Sequence, residues 1–180
     1  MKTVSLAAIW KRTRYLLLFA MIAFSHHASA QSTSTRLAGF SKATTLIAYN
    51  ATGAAPNGIS EGRLKTVLEL KLRTNGLRVL SSDEDAKDPD VNPYVSLEVK
   101  TLETRNTAGN PIGFTYTARL SVRLFARVPI NNSRAPLEMW YRDTMGVSGS
   151  EEATSTIIER IVNELAEDLL NTWLAANPRR

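Results

Sequence analysis

The sequence predicts an α+β fold: a two-layer sandwich in the order β-α-β-β-β-β-α, with a mostly antiparallel sheet and two helices on one of its faces. Three observations carry this. Stretches beginning near Ser60 and Ser150 repeat apolar residues at helical spacing, and the segments between them alternate apolar and polar residues. The last three alternating segments are joined by short loops, which suit antiparallel neighbours in a meander.

The first strand is expected over Thr44 to Tyr49, broken by Gly53, Pro56 and Gly58. From Ser60, which can cap a helix start, Leu64, Val67, Leu68 and Leu72 fall on one face, while Glu61, Lys65, Glu69 and Arg73 run four apart on the other. Asn75-Gly76 ends this helix, and Leu77 to Leu80 reads as the second strand. Ser81 to Pro93 is a polar connection that opens with a helical turn capped by Ser82.

Val95, Leu97 and Val99 alternate with Ser96, Glu98 and Lys100, giving a half-buried third strand, and Asn106 to Gly113 reads as a hairpin loop. Phe114 to Val128 is the clearest strand. Its even-numbered residues are apolar or small; the odd-numbered face is Thr115, Thr117, Arg119, Ser121, Arg123, Phe125 and Arg127. After a loop at Pro129 to Pro136, the fifth strand runs from Leu137 to Val147. Ser148-Gly149-Ser150-Glu151 fits a capping box for a helix whose apolar stripe is Ile158, Ile161, Val162, Leu165, Leu169 and Trp173, ending at Asn177-Pro178. With one polar sheet face, both helices are expected on the other.

Ahead of this domain, placed at residues 44–177, residues 1–30 have the layout of a cleavable secretory signal. Lys2, Lys11, Arg12 and Arg14 precede the apolar run Tyr15 to Phe24, and Ala28-Ser29-Ala30 puts small residues before a cut after Ala30. Ten apolar residues fall short of the ~20 that span a bilayer. Thr13 splits the arginines, which points to the general secretory route rather than the twin-arginine one. Residues 31–43, small and polar at first, read as a flexible amino-terminal segment. The expected location is periplasmic or secreted.

Processing changes the chemistry on offer. The net charge of +5 falls to near zero, since removing the four basic residues of the leader leaves 18 against 17 acids, and a nucleic-acid partner is set aside. Both histidines, His26 and His27, leave with the leader, and the chain has no cysteine. That excludes thiol nucleophiles, Ser-His-Asp triads, ordinary zinc sites and disulfides, and no cofactor is expected. The remaining 150 or so residues are enough for one core without such staples.

Few residues invite a functional reading. The acidic loop at 83–90 offers carboxylates to a hard cation, but Lys87 and Asp88 break the calcium-loop pattern, and a solvated loop is the preferred reading. Arg119, Arg123 and Arg127 share a strand face and are candidates for an anionic partner such as a lipid phosphate; the competing reading pairs them across strands with acids such as Glu98. Trp140 divides evenly between core and interface, because adjacent Trp140 and Tyr141 point to opposite faces. Asp143, Tyr141, Arg142 and Glu61 fix no catalytic pair at a working distance, so an enzyme is disfavoured. Asn50-Ala51-Thr52 and Asn131-Asn132-Ser133 match the glycosylation pattern, which matters only in a eukaryotic secretory route.

The early helix ending at Leu77-Arg78-Val79-Leu80, the strand Tyr94-Val95-Ser96-Leu97-Glu98-Val99 and the long final helix together resemble a small α/β envelope domain. It is the domain at the amino terminus of the Tol-Pal propeller protein, in the curli secretion channel subunit and in auxiliary lipoproteins of lipid transport. The resemblance spans most of residues 44–176 and rests on element order. It implies a binding or assembly module without catalysis; it transfers no site residue, and the missing cysteine removes lipid tethering. The leading expectation is therefore a periplasmic, non-enzymatic module that binds an envelope protein, or itself through sheet edges, with lipid contact open. The alternatives are a carrier of a small amphiphile between sheet and helices, and a carboxylate-dependent envelope hydrolase.

Overall fold

The computed structural model describes residues 36–85, 87 and 92–178. The leader at 1–30 and its cleavage point lie outside the described residues, as do residues 31–35 and Asp88 and Asp90 of the acidic loop. The elements run β1 (Lys42–Thr52), α1 (Glu61–Thr74), β2 (Arg78–Val79), α2 (Ser82–Asp85), β3 (Tyr94–Arg105), β4 (Pro111–Arg127), β5 (Arg134–Ser148) and α3 (Glu151–Ala176). This is the expected order, with the helical turn expected after the second strand present as the short α2. All five strands form one sheet in the order β2-β1-β3-β4-β5, and α1 and α3 pack on it.

The sheet is mixed. β3, β4 and β5 form the expected antiparallel meander, whereas β1 lies parallel to both of its neighbours. Parallel neighbours need a long crossover, and α1 with the segment after it provides one. Several strands are longer than the periodicity suggested, because pairing with a long neighbour recruits residues that lack the apolar alternation. β5, for instance, starts at Arg134 inside the expected loop and ends at Ser148.

Both helices are fixed by their caps and their apolar faces. The Ser60 hydroxyl accepts from the Arg63 N–H at 3.2 Å, and Leu64, Leu68 and Leu72 are buried. At α3 the cap is Ser150, accepting from the Ala153 N–H at 3.1 Å. The expected Ser148–Glu151 box does not form, because Ser148 is still the last residue of β5. The cap of α2 is also displaced, by one residue, from the expected Ser82 to Ser81. Ser81 and Glu84 bond reciprocally: the Ser81 N–H donates to the Glu84 carboxylate at 2.9 Å and the Glu84 N–H donates to the Ser81 hydroxyl at 3.3 Å.

One continuous core fills the space between helices and sheet. It draws Leu64, Leu68 and Leu72 from α1, Ile158, Val162, Leu165, Leu169 and Trp173 from α3, and the facing residues of β3 and β4. It also includes Leu37, from the segment expected to be flexible. Residues 37–40 are clasped to the end of α3: Asn177 accepts from the Gly39 N–H at 2.8 Å and donates to the Leu37 carbonyl at 2.9 Å, and the Trp173 indole donates to the Phe40 carbonyl at 2.8 Å. Leu37 and Phe40, three apart, give this stretch an apolar anchor despite its polar start, and Lys42 and Ala43 already lie in β1.

Candidate functional site

Among the described residues no helix covers the opposite sheet face. Strand register brings Leu46, Glu98, Arg119 and Asp143 onto it, with Tyr94, Lys100, Leu102, Thr117, Ser121, Arg123, Tyr141, Met145 and Val147 around them. Exposed apolar groups sit among the charges, most openly Met145 at 75% and Val147 at 77% exposure. Glu98, Lys100, Thr117, Arg119, Asp143 and Met145 line a shallow concavity of about 530 Å³.

At the centre the arginine stripe is engaged by acids from both flanking strands. Arg119 Nη2 lies 2.9 Å from each carboxylate oxygen of Glu138, and its guanidinium stacks 4.4 Å from the centre of the Tyr141 ring. Arg123 bridges Glu98 at 3.5 Å and Glu138 at 3.7 Å. Hydrogen bonding to Glu138 raises the Arg119 pKa above its ordinary value, so this group is a fixed cation. Cross-strand pairing, the competing sequence reading, is thus what the structure shows for Arg119 and Arg123. Arg127 differs: its partner is the Asn132 side-chain oxygen at 3.3 Å, an uncharged group.

Glu138 was not found from the sequence. The register shifts between Val122 and Arg123, which face Trp140 and Glu138, so Met139 is the extra residue of a β-bulge. In an unbroken strand Glu138 and Trp140 would share a face. The bulge turns Glu138 to the open face while Trp140, 5% exposed, stays in the core. An acid two residues from a core tryptophan in an alternating strand was the available signal. Trp140 is a core residue, and the aromatics on the open face include Tyr141 and Tyr94.

The remaining candidates are absorbed locally. In the acidic loop, Glu84 is held by Ser81 and Arg78, and Asp85 accepts from Tyr94 at 3.1 Å and Asn92 at 3.3 Å. Among the described residues no group of three or more His, Cys, Asp or Glu side chains is placed to hold a metal. A second concavity of about 330 Å³ lies between β5 and α3, lined in part by Asp143, Glu164 and Asp168; Arg142 engages Asp168 at 3.6 Å. No described helix is long and apolar enough to cross a membrane.

Glu103, near the end of β3, gives a testable pH dependence. It accepts from Arg105 at 2.7 and 3.1 Å and from the Ala54 N–H at 3.3 Å, and its pKa is lowered chiefly by Arg105. A lowered folded-state pKa stabilises the fold above the unfolded value of about 4.3, and the contribution is lost as pH falls through the folded value. The urea midpoints of wild type and Glu103→Gln should therefore differ at about pH 7 and converge toward about pH 3. A gap that stays constant across that range would contradict the assignment.

No protein-family model matches the chain, and no curated protein matches it. Among solved structures it is similar to the hypothetical protein CT253 from Chlamydia trachomatis, at 11% identity over 76% of this chain and 99% of that one, with a TM-score of 0.44. It is also similar to a leucine-to-methionine variant of the PelC dodecamer from Paraburkholderia phytofirmans, at 12% identity over 75% and 90% of the two chains, with a TM-score of 0.41. A minor lipoprotein from Acinetobacter baumannii matches at 11% identity over 77% and 93%, also at 0.41. These likenesses concern the path of the chain and assign no residue a role.

Proposed function

We propose that this chain is an exported, non-enzymatic binding or assembly module of a bacterial cell envelope, and that its partner seats on the open sheet face. One observation carries the reading. A sheet face that no described helix covers presents Tyr141, Met145 and Val147 beside a charge network of Arg119, Glu138, Arg123 and Glu98. Exposed apolar groups rimmed by oriented charges are the usual make-up of a protein-binding surface. Export is supported by the layout of residues 1–30.

The carrier reading draws no support from the space between helices and sheet, where core side chains are packed. A hydrolase needs two carboxylates free to work together; Asp168 beside Asp143 and Glu164 is already engaged by Arg142.

The test is crosslinking in intact cells of a chain tagged near Gln31, followed by capture and mass spectrometry. One reproducible envelope protein is expected, lost when Met145→Asp and Val147→Asp are combined. Recovery of the chain alone, or a metal-independent activity abolished by substituting one acid, would overturn the reading.

A further inference from the structure

The sheet has two edges, and they are unlike. One is β2, only the two residues Arg78–Val79; the other is β5, Arg134–Ser148, whose outer side pairs with no described strand. An unpaired edge is a template for another strand, and proteins blunt it by shortness, proline, bulges or charge. β2 is blunted by its length. The first half of β5 is blunted by Pro136 and by the bulge at Met139. Beyond the bulge these devices stop: from Trp140 opposite Val122 to Ser148 opposite Phe114 the ladder with β4 is unbroken. That stretch holds two charges, Arg142 and Asp143, and Arg142 is drawn to Asp168 of α3 at 3.6 Å. Tyr141, Met145 and Val147 are exposed along it.

The stretch is complementary to itself. Two copies of one strand related by a two-fold axis run antiparallel, and residues directly opposite share a face. An axis through Arg142 or Asp143 would set identical charges opposite one another, which is unfavourable. An axis through Met145 carries Tyr141 past the strand end, opposite Gly149. With the axis at Thr144, Thr144 meets its own copy, Tyr141 lies opposite Val147 and Asp143 lies opposite Met145. Threonine pairs and aromatic–β-branched pairs are among those that stabilise a ladder. The charges of α3 agree with this choice. Thr144 and Glu164 line the same concavity between β5 and α3, so the axis runs close to Glu164, which keeps its own Arg160 at 4.0 Å. Arg160 and Asp168 stand about one turn to either side of Glu164. Two antiparallel α3 helices therefore set Arg160 of each copy toward Asp168 of the other.

We propose that this chain forms a two-fold dimer through residues 141–147 of β5, with Thr144 on the axis, which joins the two sheets into one. The occupant of the edge is a second copy, because the register that avoids like charges also pairs the side chains that favour a ladder. The dimer is made by the backbone of β5 and sets two open faces side by side, so it goes beyond the reading above and does not depend on it.

The experiment uses the chain from Gln31 to Arg180, which contains every described residue. Sedimentation equilibrium in the micromolar range is expected to give a dimer. The absence of cysteine lets single substitutions read the register by disulfide formation under mild oxidation. Thr144→Cys should link to itself, since opposite residues lie about 4.5–5.5 Å apart between Cα atoms. Asp143→Cys and Met145→Cys should not link when alone, because their own copies lie about 8 Å apart, and should link when mixed. Met145→Asp sets an acid opposite Asp143 twice per dimer and should weaken association roughly tenfold, whereas Met145→Lys should keep it. Met145 is exposed, so these two changes test association rather than folding. A monomer throughout the range would overturn the proposal, as would a dimer linked by Asp143→Cys or Met145→Cys alone or by none of the three. Capture of an envelope protein by a chain that is monomeric when pure would sink the dimer and leave the reading above; a dimer that captures no other protein would do the reverse.

Discussion

Replacing Trp173 with Ala is expected to lower the free energy of unfolding by about 3–5 kcal/mol, the range for deleting a buried tryptophan. Few domains of this size have more than about 15 kcal/mol to lose. The indole is 8% exposed, packs 6.4 Å from the Phe40 ring between centroids, and donates to the Phe40 carbonyl at 2.8 Å. The substitution opens a cavity in the core and also removes a bond that holds residues 37–40 against α3. Trp173→Phe keeps most of the apolar body and loses the N–H, so its cost should be nearer about 1 kcal/mol. Urea unfolding followed by circular dichroism separates the two. If Trp173→Ala cost no more than Trp173→Phe, the docking of residues 37–40 would have to be wrong.

Trp173 also marks how far the sequence could be read. Its place on the apolar stripe of α3 follows from 3.6-residue periodicity, as do Leu64, Leu68 and Leu72 on α1, because a long helix repeats its signal several times. Its partner does not follow. Leu37 and Phe40 are two apolar residues beside a polar stretch, too few to show a period, and only the folded chain shows that α3 ends where they arrive. The parallel pairing of β1 was hidden for a related reason: alternation says which face a residue takes, not which strand lies beside it.

At the candidate site, the arginine stripe was legible because strict alternation along β4 places Arg119, Arg123 and Arg127 on one face. The acid between them was not. A bulge shifts the alternation by one residue, and nothing in the order of Leu137 to Trp140 announces it except the conflict between a core tryptophan and a carboxylate of the same parity. The extension of the β4–β5 hairpin past β3 was concealed by the ends of strands rather than by their pattern. Pro129 to Pro136 reads as loop, yet Arg134 to Pro136 pair with β4 and carry the hairpin past β3.

Gly146→Ala shows the limit of reading one residue at a time. Glycine inside a strand carries an entropic cost, so alanine there would ordinarily stabilise by up to about 1 kcal/mol. Here an added Cβ would lie 2.3 Å from the Tyr116 hydroxyl oxygen and 2.6 Å from the ring carbon that bears it. Tyr116 faces Gly146 across the β4–β5 pair and is buried, so its ring has little room to retreat. Overpacking of this kind costs about 1–3 kcal/mol, which exceeds the entropic gain and sets the sign: Gly146→Ala should destabilise. Tyr116→Leu should also destabilise alone, by leaving a space. On that background, however, Gly146→Ala meets no ring, and its cost should vanish or reverse. The double-mutant cycle should therefore give a favourable coupling of about 0.5–3 kcal/mol by urea unfolding. Strict additivity would mean that Tyr116 and Gly146 are not in contact, and the close approach of β5 to β4 that aligns Met145 and Val147 on the open face would lose its physical basis.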